Sequence, residues 1–418
     1  MFRTLGFGIS TSILLIPALF LDRQRCTVSA AEKNAKPNIA IIGAGIGGSS
    51  AAHFIRQLFG PEATIDVYEA SDRIGGRLST VEIAGKRFES GGSIIHKSNK
   101  YMADFVEYLE LKKLKSSEPN SLLGIYNGEE FQTTRQTLEN IGLNQLLIDE
   151  LVTVVMRINY GQDVTLNGFA GGNWKVCDGL LSSSNATVYK NTKISEIVKR
   201  SQGSSVCPVY TLKSDSQIPD QHYDVVIVAA PLEIADYYFD CKDCNNWPTP
   251  KDLGEFWRTI ATFIHGQVNM NHFGFSTEDD IPEVIGTTET PTNFFNSIGK
   301  QEPVENRTEI DPKELPINKI FSRSNLTALQ LNKLFSRVDE MKVVSWLAYP
   351  HFTPPEKFWS FVLDDGVFFV NAIEYSASAM EMSAVSAKNA ALLAHHYYSG
   401  KLSDAHINDK PSNLRSEL

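Results

Sequence analysis

A glycine-rich loop directly after a short apolar run constrains this chain more than any other feature. Residues 38–42 have the length and the isoleucine content of a buried strand, and Gly43, Gly45 and Gly48 follow in the spacing GxGxxG. Residues 49–59 then predict a helix. In such a unit the glycines permit a tight turn, a close approach of the backbone to a pyrophosphate, and close packing of helix on strand. The anion would lie at the free N–H groups of the helix N-terminus.

A second predicted strand, residues 64–68, supports this interpretation. Glu69 follows it, 21 residues after Gly48, where a carboxylate accepts hydrogen bonds from ribose hydroxyls in dinucleotide-binding proteins. The sequence therefore predicts dinucleotide binding. The alternative is an ordinary glycine-rich βα turn.

Composition limits the class of protein. The 418 residues suffice for two domains or one large interrupted domain, and 42% hydrophobic with 21% charged residues is typical of globular proteins. A net charge of −10 without a Lys/Arg cluster argues against a nucleic-acid partner. The nine histidines show no metal-ligand spacing and no Ser/His/Asp set is discernible, so no metal is expected and the catalytic residue is unknown.

The first 30 residues differ from the rest. Arg3 precedes an apolar stretch at 5–21, and Val28-Ser29-Ala30 offers a small-residue cleavage site, so residues 1–30 predict a signal peptide. A signal anchor or an organelle transit peptide is the alternative. No later run reaches the ~18 apolar residues of a membrane span.

In the secretory pathway, sequons can be glycosylated and cysteines can form disulfides. Sequons at Asn185, Asn306 and Asn325 are candidate glycosylation sites. Cys241 and Cys244 have CxxC spacing without the further ligands that zinc needs, so a surface disulfide is favoured over a redox centre.

Later segments complete the predicted fold. Strand patterns occur at 187–189, 209–212, 223–231 and 366–372, and the unbroken Val/Ile run within 223–231 is typical of a parallel strand buried on both faces. An alanine-rich helix is predicted over 378–398, with Ser378 and Glu381 spaced as a capping box.

The predicted fold class is α/β, with a doubly wound, discontinuous nucleotide-binding domain and a second α+β domain that holds substrate. The predicted boundaries are 37–98, 185–235 and 360–400 for the first domain, 99–184 and 236–359 for the second, and 401–418 for a C-terminal tail.

Two further glycine motifs favour FAD over NAD. Gly75-Gly76-Arg77 lets the backbone approach a large ligand while a guanidinium neutralises phosphate, and Gly91-Gly92-Ser93 repeats the small-residue pattern. An isoalloxazine ring needs a long glycine-lined surface. Turns between surface strands are the alternative.

The predicted late helix offers a second contact with the flavin. Its N-terminus near Ser378 would direct partial positive charge at the N1–C2=O edge of the ring, and a simple packing helix is the alternative. The candidate cofactor-binding residues are Gly43, Gly45, Gly48, Glu69, Gly76, Arg77, Gly91, Gly92, Ser93, Glu374 and Ser378.

These motifs, in this order, resemble the flavin amine-oxidase-like superfamily and, more closely, the prenylcysteine oxidase (farnesylcysteine lyase) family. The matching segments span about 38 to 400 and are Ile42–Ser50, Gly75–Leu78, Glu89–His96, Leu123–Gly128, Met156–Gln162, Trp346–His351 and Ala377–Ala384. The last three are specific to the family.

The resemblance implies a lysosomal or vacuolar FAD enzyme that clears S-prenylated cysteine. Its non-covalently bound flavin would take a hydride from the prenyl carbon beside sulfur, water would attack the resulting thiocarbenium, and oxygen would be reduced to hydrogen peroxide. The products would be a prenyl aldehyde and cysteine. Aromatic side chains are expected to line a tunnel for the prenyl tail: Phe256, Trp257, Phe263, Phe294, Phe295, Trp346 and Phe352.

Two segments of the predicted second domain are shorter than the family pattern. Only residues 129–156 join the Gly-Ile-Tyr-Asn-Gly and Arg-Ile-Asn-Tyr-Gly-Gln segments, and the stretch between Gln162 and Gly171 is also reduced. An isoform that binds FAD without full catalysis, or a related amine oxidase, are therefore the alternative functions.

Overall fold

The computed structural model describes residues 36–96, 98–112, 123–126, 128, 131–132, 142, 165–167, 170–201, 207–232, 239–249, 254–277, 280–287, 292–305, 314–352 and 358–400. The predicted signal peptide, the C-terminal tail, the Asn306 sequon and the 156–162 motif lie outside the described residues.

A six-stranded sheet forms the centre of the predicted nucleotide-binding domain. Its strands, in spatial order, are β19 (Val362–Asp364), β20 (Val367–Phe369), β12 (Val225–Val228), β1 (Asn38–Ile42), β2 (Thr64–Tyr68) and β9 (Thr187–Tyr189). The ladders from β20 to β9 are parallel, and β19 is antiparallel to β20. All four residues of β12 are buried, as its Val/Ile run predicts. The predicted α/β fold is confirmed, and the sheet is built from three distant stretches of chain.

Different layers cover the two faces of this sheet. Helices α1 (Ile46–Phe59), α2 (Lys100–Tyr108), α3 (Trp174–Ser183) and α6 (Met380–Tyr398) pack on the face to which Ile39 and Ile41 contribute. The alternating residues Ala40 and Ile42 pack instead against a three-stranded sheet of β10 (Ile194–Ser201), β11 (Pro208–Ser214) and β13 (Asp240–Lys242). Successive side chains of a strand point to opposite faces of the sheet, so the short strand β1 contacts both layers.

A seven-stranded sheet forms the second domain. In spatial order its strands are β18 (Phe335–Pro350), β14 (Phe256–Val268), β17 (Ile317–Ser322), β16 (Ser297–Lys300), β15 (Val284–Thr287), β6 (Leu123–Tyr126) and β7 (Phe131–Gln132). Two short helices, α4 (Met270–Phe273) and α5 (Ala328–Leu334), accompany it. Two small sheets, the hairpin β3 (Thr80–Ile83) with β4 (Lys86–Glu89) and the pair β5 (Ile94–His96) with β8 (Thr165–Asn167), complete the described strands.

The β3–β4 hairpin joins the two domains. Ile83 and Phe88 are buried against Ala261, Phe263 and Ile317 of the seven-stranded sheet. This hairpin therefore holds the seven-stranded sheet next to the first domain.

Two helices lie on a different side of the predicted domain boundary. Both α2 and α3 fall within the 99–184 stretch that the sequence predicts for the second domain. In the structure, Met102 and Phe105 of α2 and Val176 and Leu180 of α3 are buried with α1 in the core of the six-stranded sheet. Their apolar faces are completed by the first domain, so the structure assigns both helices to it.

The C-terminal elements begin and end at positions other than those predicted. The last parallel strand ends at Phe369, and residues Val370–Tyr375 form a 3-10 helix. Helix α6 begins at Met380 after Ala379, and no side chain caps its N-terminus. The predicted Ser378/Glu381 capping box is therefore wrong. The Glu381 carboxylate instead accepts the backbone N–H groups of Tyr101 and Met102, both at 3.0 Å, at the N-terminus of α2.

A disulfide joins Cys241 and Cys244, with the Cα atoms 5.5 Å apart, as the CxxC spacing predicts. Cys241 is a buried residue of β13 in the three-stranded sheet. Among the described residues, Cys177 is a free cysteine and is buried in α3.

Candidate functional site

The GxGxxG loop lies at the carboxyl end of β1, at the edge where parallel strands present ligand sites. Gly43 has a φ of +103°, and its N–H donates to the Tyr68 carbonyl at 2.8 Å. A Cβ at Gly43 would lie 2.7 Å from the Ala229 carbonyl oxygen. The turn thus requires glycine for both its conformation and its contact with β12.

Glu69 holds this loop from the end of β2. One carboxylate oxygen accepts the Ala44 N–H at 2.9 Å, and the other accepts the N–H and the hydroxyl of Ser71 at 2.9 and 2.7 Å. The structure therefore places Glu69 beside the predicted phosphate loop, where it orders the loop and its own turn.

The N-terminus of α1 has the features of an anion site. Its N-cap is Gly45, and no side chain caps the helix. At Gly48 a Cβ would overlap the Gly43 carbonyl oxygen, so only glycine lets the first turn approach the strand this closely. A helix N-terminus without a side-chain cap suits an anionic ligand.

The second glycine motif contacts the first. Gly75 donates its N–H to the Ala44 carbonyl at 2.9 Å, and a Cβ on Gly76 would lie 3.3 Å from the Cα of Gly45. Gly76 has a φ of +57°. Two glycine segments that are 30 positions apart in sequence therefore form one continuous backbone surface.

The third glycine motif packs on the second. The N–H groups of Ser90 and Gly92 donate to the carbonyls of Ser79 and Arg77 at 2.8 and 3.2 Å, and a Cβ at Gly91 would overlap the Arg77 carbonyl oxygen. Ser93 follows in the same segment. All three predicted glycine motifs are thus brought together.

Arg77, Glu374 and Ser378 also meet. The Arg77 guanidinium forms a salt bridge with Glu374, donates to the Ala348 carbonyl at 2.8 Å and lies 3.4 Å from the Ser378 hydroxyl. Asn371 donates to the same Glu374 carboxylate at 3.0 Å. Glu374 is 3% exposed. Its buried negative charge is balanced by the Arg77 guanidinium, to which the sequence-based prediction gives the role of neutralising phosphate.

A buried polar cluster beside this surface is absent from the sequence-based predictions. Glu89 is 7% exposed and accepts the Asn173 N–H at 2.5 Å, and burial raises the pKa of its carboxyl to about 7. Lys319 of β17 donates to the Glu89 carbonyl at 3.1 Å, and burial lowers the pKa of its ammonium to about 8. A lysine in a strand that also carries Ile317, Ile320 and Phe321 was the available signal.

The aromatic residues predicted to line one tunnel belong to separate groups. Phe263 and Trp346 pack in the cluster of the β3–β4 hairpin, whereas Phe294 and Phe295 pack around Tyr126. Trp257 and Phe352 are exposed near the end of the β14–β18 ladder. A cavity of about 530 Å³ lies elsewhere, between α3, β9 and the 72–74 turn, and no candidate cofactor-binding residue lines it.

Metal and membrane features are absent from the described part of the chain. No group of three or more His, Cys, Asp or Glu there is placed to hold a metal ion. Within the same residues no helix combines the length and apolarity needed to cross a bilayer.

Comparison with known proteins decides the family. Residues 41–109 match an NAD(P)-binding Rossmann-like domain, a match that includes α2, and residues 119–408 match the prenylcysteine lyase family. The chain belongs to the prenylcysteine lyase family. The predicted resemblance is thereby confirmed.

Relatives of this family match along nearly the whole chain. Prenylcysteine oxidase 1 of Bos taurus is 33% identical over 509 aligned positions, which cover 98% of this chain and 99% of that protein. Farnesylcysteine lyase of Arabidopsis thaliana is 30% identical over 493 positions, covering 93% and 94%. Since this chain has 418 residues, at least 91 of the 509 positions (509 less 418) face a gap in it.

Solved structures show the same fold. Cyclohexylamine oxidase from Brevibacterium oxydans superimposes with a TM-score of 0.58 at 15% identity, covering 87% of this chain and 99% of that chain. Putrescine oxidase bound to putrescine gives 0.56 at 13% identity, covering 86% and 98%. This chain thus shares its fold with these two oxidases.

Proposed function

We propose that this protein is an FAD-dependent oxidase that cleaves the thioether of S-prenylcysteine, such as S-farnesylcysteine. Membership of the prenylcysteine lyase family and the names of its relatives support this substrate class. The observation that carries the cofactor assignment is the meeting of Gly45, Gly76 and Gly92 in one backbone surface at the carboxyl edge of the sheet.

The residues present fit an extended dinucleotide. The Gly43–Gly48 loop and the uncapped N-terminus of α1 suit a pyrophosphate, and the Gly75–Gly76 and Gly91–Gly92 segments lengthen the surface beyond what one nucleotide needs. The free Cys177 is buried, and burial raises the pKa of its thiol to about 12, so it is a poor nucleophile for a covalent flavin link. The arrangement supports non-covalent binding.

Bound FAD would supply the two-electron oxidation of the carbon beside sulfur, with oxygen reduced to hydrogen peroxide. The overall reaction consumes S-prenylcysteine, oxygen and water, and yields a prenyl aldehyde, cysteine and hydrogen peroxide. Water supplies the aldehyde oxygen and the proton that the cysteine sulfur retains.

The chain's own residues position the reaction partners. Glycines at 43, 45 and 48 let the backbone approach the phosphates, and Glu69 orders their loop through the Ala44 N–H. The salt bridge of Arg77 with Glu374 ties the second glycine segment to the chain that precedes α6. Glu374 thereby helps to hold the second glycine segment in place.

Anaerobic titration of the purified yellow protein with S-farnesylcysteine tests the proposal. We expect the flavin absorbance near ~450 nm to bleach in proportion to substrate and to return with peroxide formation when oxygen is admitted. A flavin that putrescine or cyclohexylamine bleaches while S-farnesylcysteine does not would assign the protein to amine oxidation.

The second candidate is a protein that binds FAD without catalysis, and the aligned positions that this chain lacks support it. A chain that lacks at least 91 of the 509 positions aligned with its bovine relative could bind FAD without turnover. A protein with a bound-flavin spectrum that no prenylcysteine bleaches would select this candidate.

We further propose a secretory route that ends in a lysosome or vacuole. The predicted signal peptide and sequons support it, and the two described sequon asparagines, Asn185 and Asn325, are exposed. Enzymatic removal of N-glycans should lower the mass of the protein purified from eukaryotic cells, and N185Q/N325Q should reduce that mass shift. An unglycosylated protein found in the cytosol would contradict this route.

A further inference from the structure

A buried lysine reaches from the second domain to the cofactor surface. Lys319 lies in β17, is 5% exposed, and its Nζ donates to the backbone carbonyl of Glu89 at 3.1 Å. The ammonium lies 4.7 Å from the ring centroid of Phe321 and 5.5 Å from that of Phe263. These rings and the carbonyl offset part of the cost of burying the charge. Burial of the lysine charge still costs free energy of folding, which suggests that its contact with Glu89 has a role.

Glu89 begins the segment that carries the third glycine motif. Its carboxylate accepts the Asn173 N–H, and the Asn173 side-chain amide donates to the carbonyls of Gly92 and Ser93 at 3.0 and 3.1 Å. Asn173 is fully buried at the start of α3. The segment 89–93 is therefore held at its first residue by Lys319 and at its last residues by Asn173.

The same segment is attached to the rest of the glycine surface by two backbone hydrogen bonds. Ser90 and Gly92 donate to Ser79 and Arg77, which belong to the Gly75–Ser79 segment. A shift of the Glu89 carbonyl would therefore displace the contact between the second and third glycine motifs. The Lys319 hydrogen bond opposes that shift from outside the nucleotide-binding domain.

We propose that Lys319 is a positioning residue, whose buried ammonium fixes the Glu89 carbonyl and thereby couples the second domain to the glycine surface on which the flavin is proposed to lie. This inference rests on the proposed function for the identity of the cofactor. The coupling itself concerns the 89–93 segment and can be measured without substrate.

The decisive experiment compares three variants of the full chain with the wild type. K319M keeps the length of the side chain but removes the charge and the donor, whereas K319R keeps both. K300M is the matched control, because Lys300 lies in the neighbouring strand β16 and is exposed. Hydrogen exchange of the backbone amides of Ser90 and Gly92 reports the segment directly.

We expect exchange of these amides to be about tenfold faster in K319M, and near the wild-type rate in K319R and K300M. In protein that binds flavin, K319M should also alter the flavin absorption bands and slow flavin reduction at saturating S-farnesylcysteine by about tenfold with KM unchanged. Wild-type exchange in K319M would overturn the proposal. Equal acceleration in K300M, or failure of K319R to restore protection, would overturn it as well.

The failure of the proposed function has a separate signature. Wild-type protein whose flavin S-farnesylcysteine does not reduce would overturn the substrate assignment. In that case the exchange rates of the 89–93 amides still decide whether Lys319 positions this segment.

Discussion

The Arg77 guanidinium donates to both carboxylate oxygens of Glu374, although 297 residues separate the two in the chain. Glu374 lies in the 3-10 helix that follows the last strand of the six-stranded sheet, and Arg77 follows the second glycine motif. The pair therefore connects the first and the last stretches of chain that build the nucleotide-binding domain. A buried carboxylate whose charge depends on one guanidinium makes this connection sensitive to substitution.

Removal of Arg77 should destabilise the fold. R77A leaves the Glu374 carboxylate buried without its counter-ion, and we expect the free energy of unfolding to fall by about 3 kcal/mol. Urea denaturation measures it. The exposed pair of Arg337 and Asp339 supplies the control, because solvent screens such a pair and R337A should destabilise the fold much less than R77A does. Equal losses in the two variants would show that the Glu374 pair contributes no more than a surface ion pair.

Two glycines of the first loop should respond differently to alanine. A Cβ at Gly48 would overlap the Gly43 carbonyl oxygen, whereas at Gly45 the nearest atoms are 3.8 Å away. We expect G48A to lower both Tm and flavin content. G45A should keep the Tm of the flavin-free protein but weaken flavin binding, because the second glycine of GxGxxG is where the backbone approaches the pyrophosphate. Absorbance ratios and thermal melts measure both.

Gly286 is the matched control for these substitutions. It lies in a strand, and a Cβ there would meet no atom within 4 Å. G286A should therefore leave Tm and flavin content unchanged. A G45A protein that retains the full flavin content would contradict the proposed position of the pyrophosphate.

Glu89 should make stability depend on pH between about 4.5 and 7. Burial raises the pKa of its carboxyl from 4.5 to about 7, so over this range the folded state binds the proton that the unfolded state has released. The free energy of unfolding should therefore fall as pH rises through this window, by on the order of 2–3 kcal/mol. Lys319 stays protonated throughout, because its pKa is about 8.

E89Q removes this titration, since the amide imitates the protonated acid. Its unfolding free energy should change less between pH 4.5 and 7 than that of the wild type. E82Q, at an exposed position of the same hairpin, is the control and should retain the wild-type slope. Parallel slopes for E89Q and wild type would show that Glu89 does not titrate in this window.

The disulfide should contribute stability and leave catalysis unaffected. It closes a loop of four residues, for which the chain-entropy estimate is about 2 kcal/mol. C241S/C244S should therefore melt at a lower temperature and still produce peroxide from S-farnesylcysteine at the wild-type rate. Loss of turnover in a folded, flavin-loaded double variant would favour the alternative of a redox centre.

Local sequence signals predict the first part of the fold well. The strand at 38–42, the helix after it and the strand at 64–68 have periodicity and glycine spacing that depend on few distant residues. At Ser378 and Glu381 the spacing of a capping box is also correct, yet both side chains are engaged elsewhere. Ser378 lies beside Arg77 and Glu374, and Glu381 caps α2. Tertiary hydrogen bonds thus override a local capping preference.

The second domain and its buried lysine could not be predicted in the same way. Aromatic residues between 256 and 352 indicate an apolar environment, but their grouping depends on how β14, β17 and β18 pair across the sheet. Lys319 pairs with Phe263 across the β14–β17 ladder, and Glu89 reaches it from a hairpin 230 positions earlier. No local pattern encodes a contact over that separation.

The discontinuous six-stranded sheet also determines when its strands can pair during translation. Ile39 of β1 pairs with Val225, and the neighbouring Val226 pairs with Val367. At roughly 5–20 residues per second, the ribosome completes β20 on the order of tens of seconds after β1. The edge of β12 that pairs with β20 lacks its partner until the end of that interval. Chains released before residue 369 would keep this buried apolar strand edge unpaired, and we expect them to aggregate more readily than the full chain.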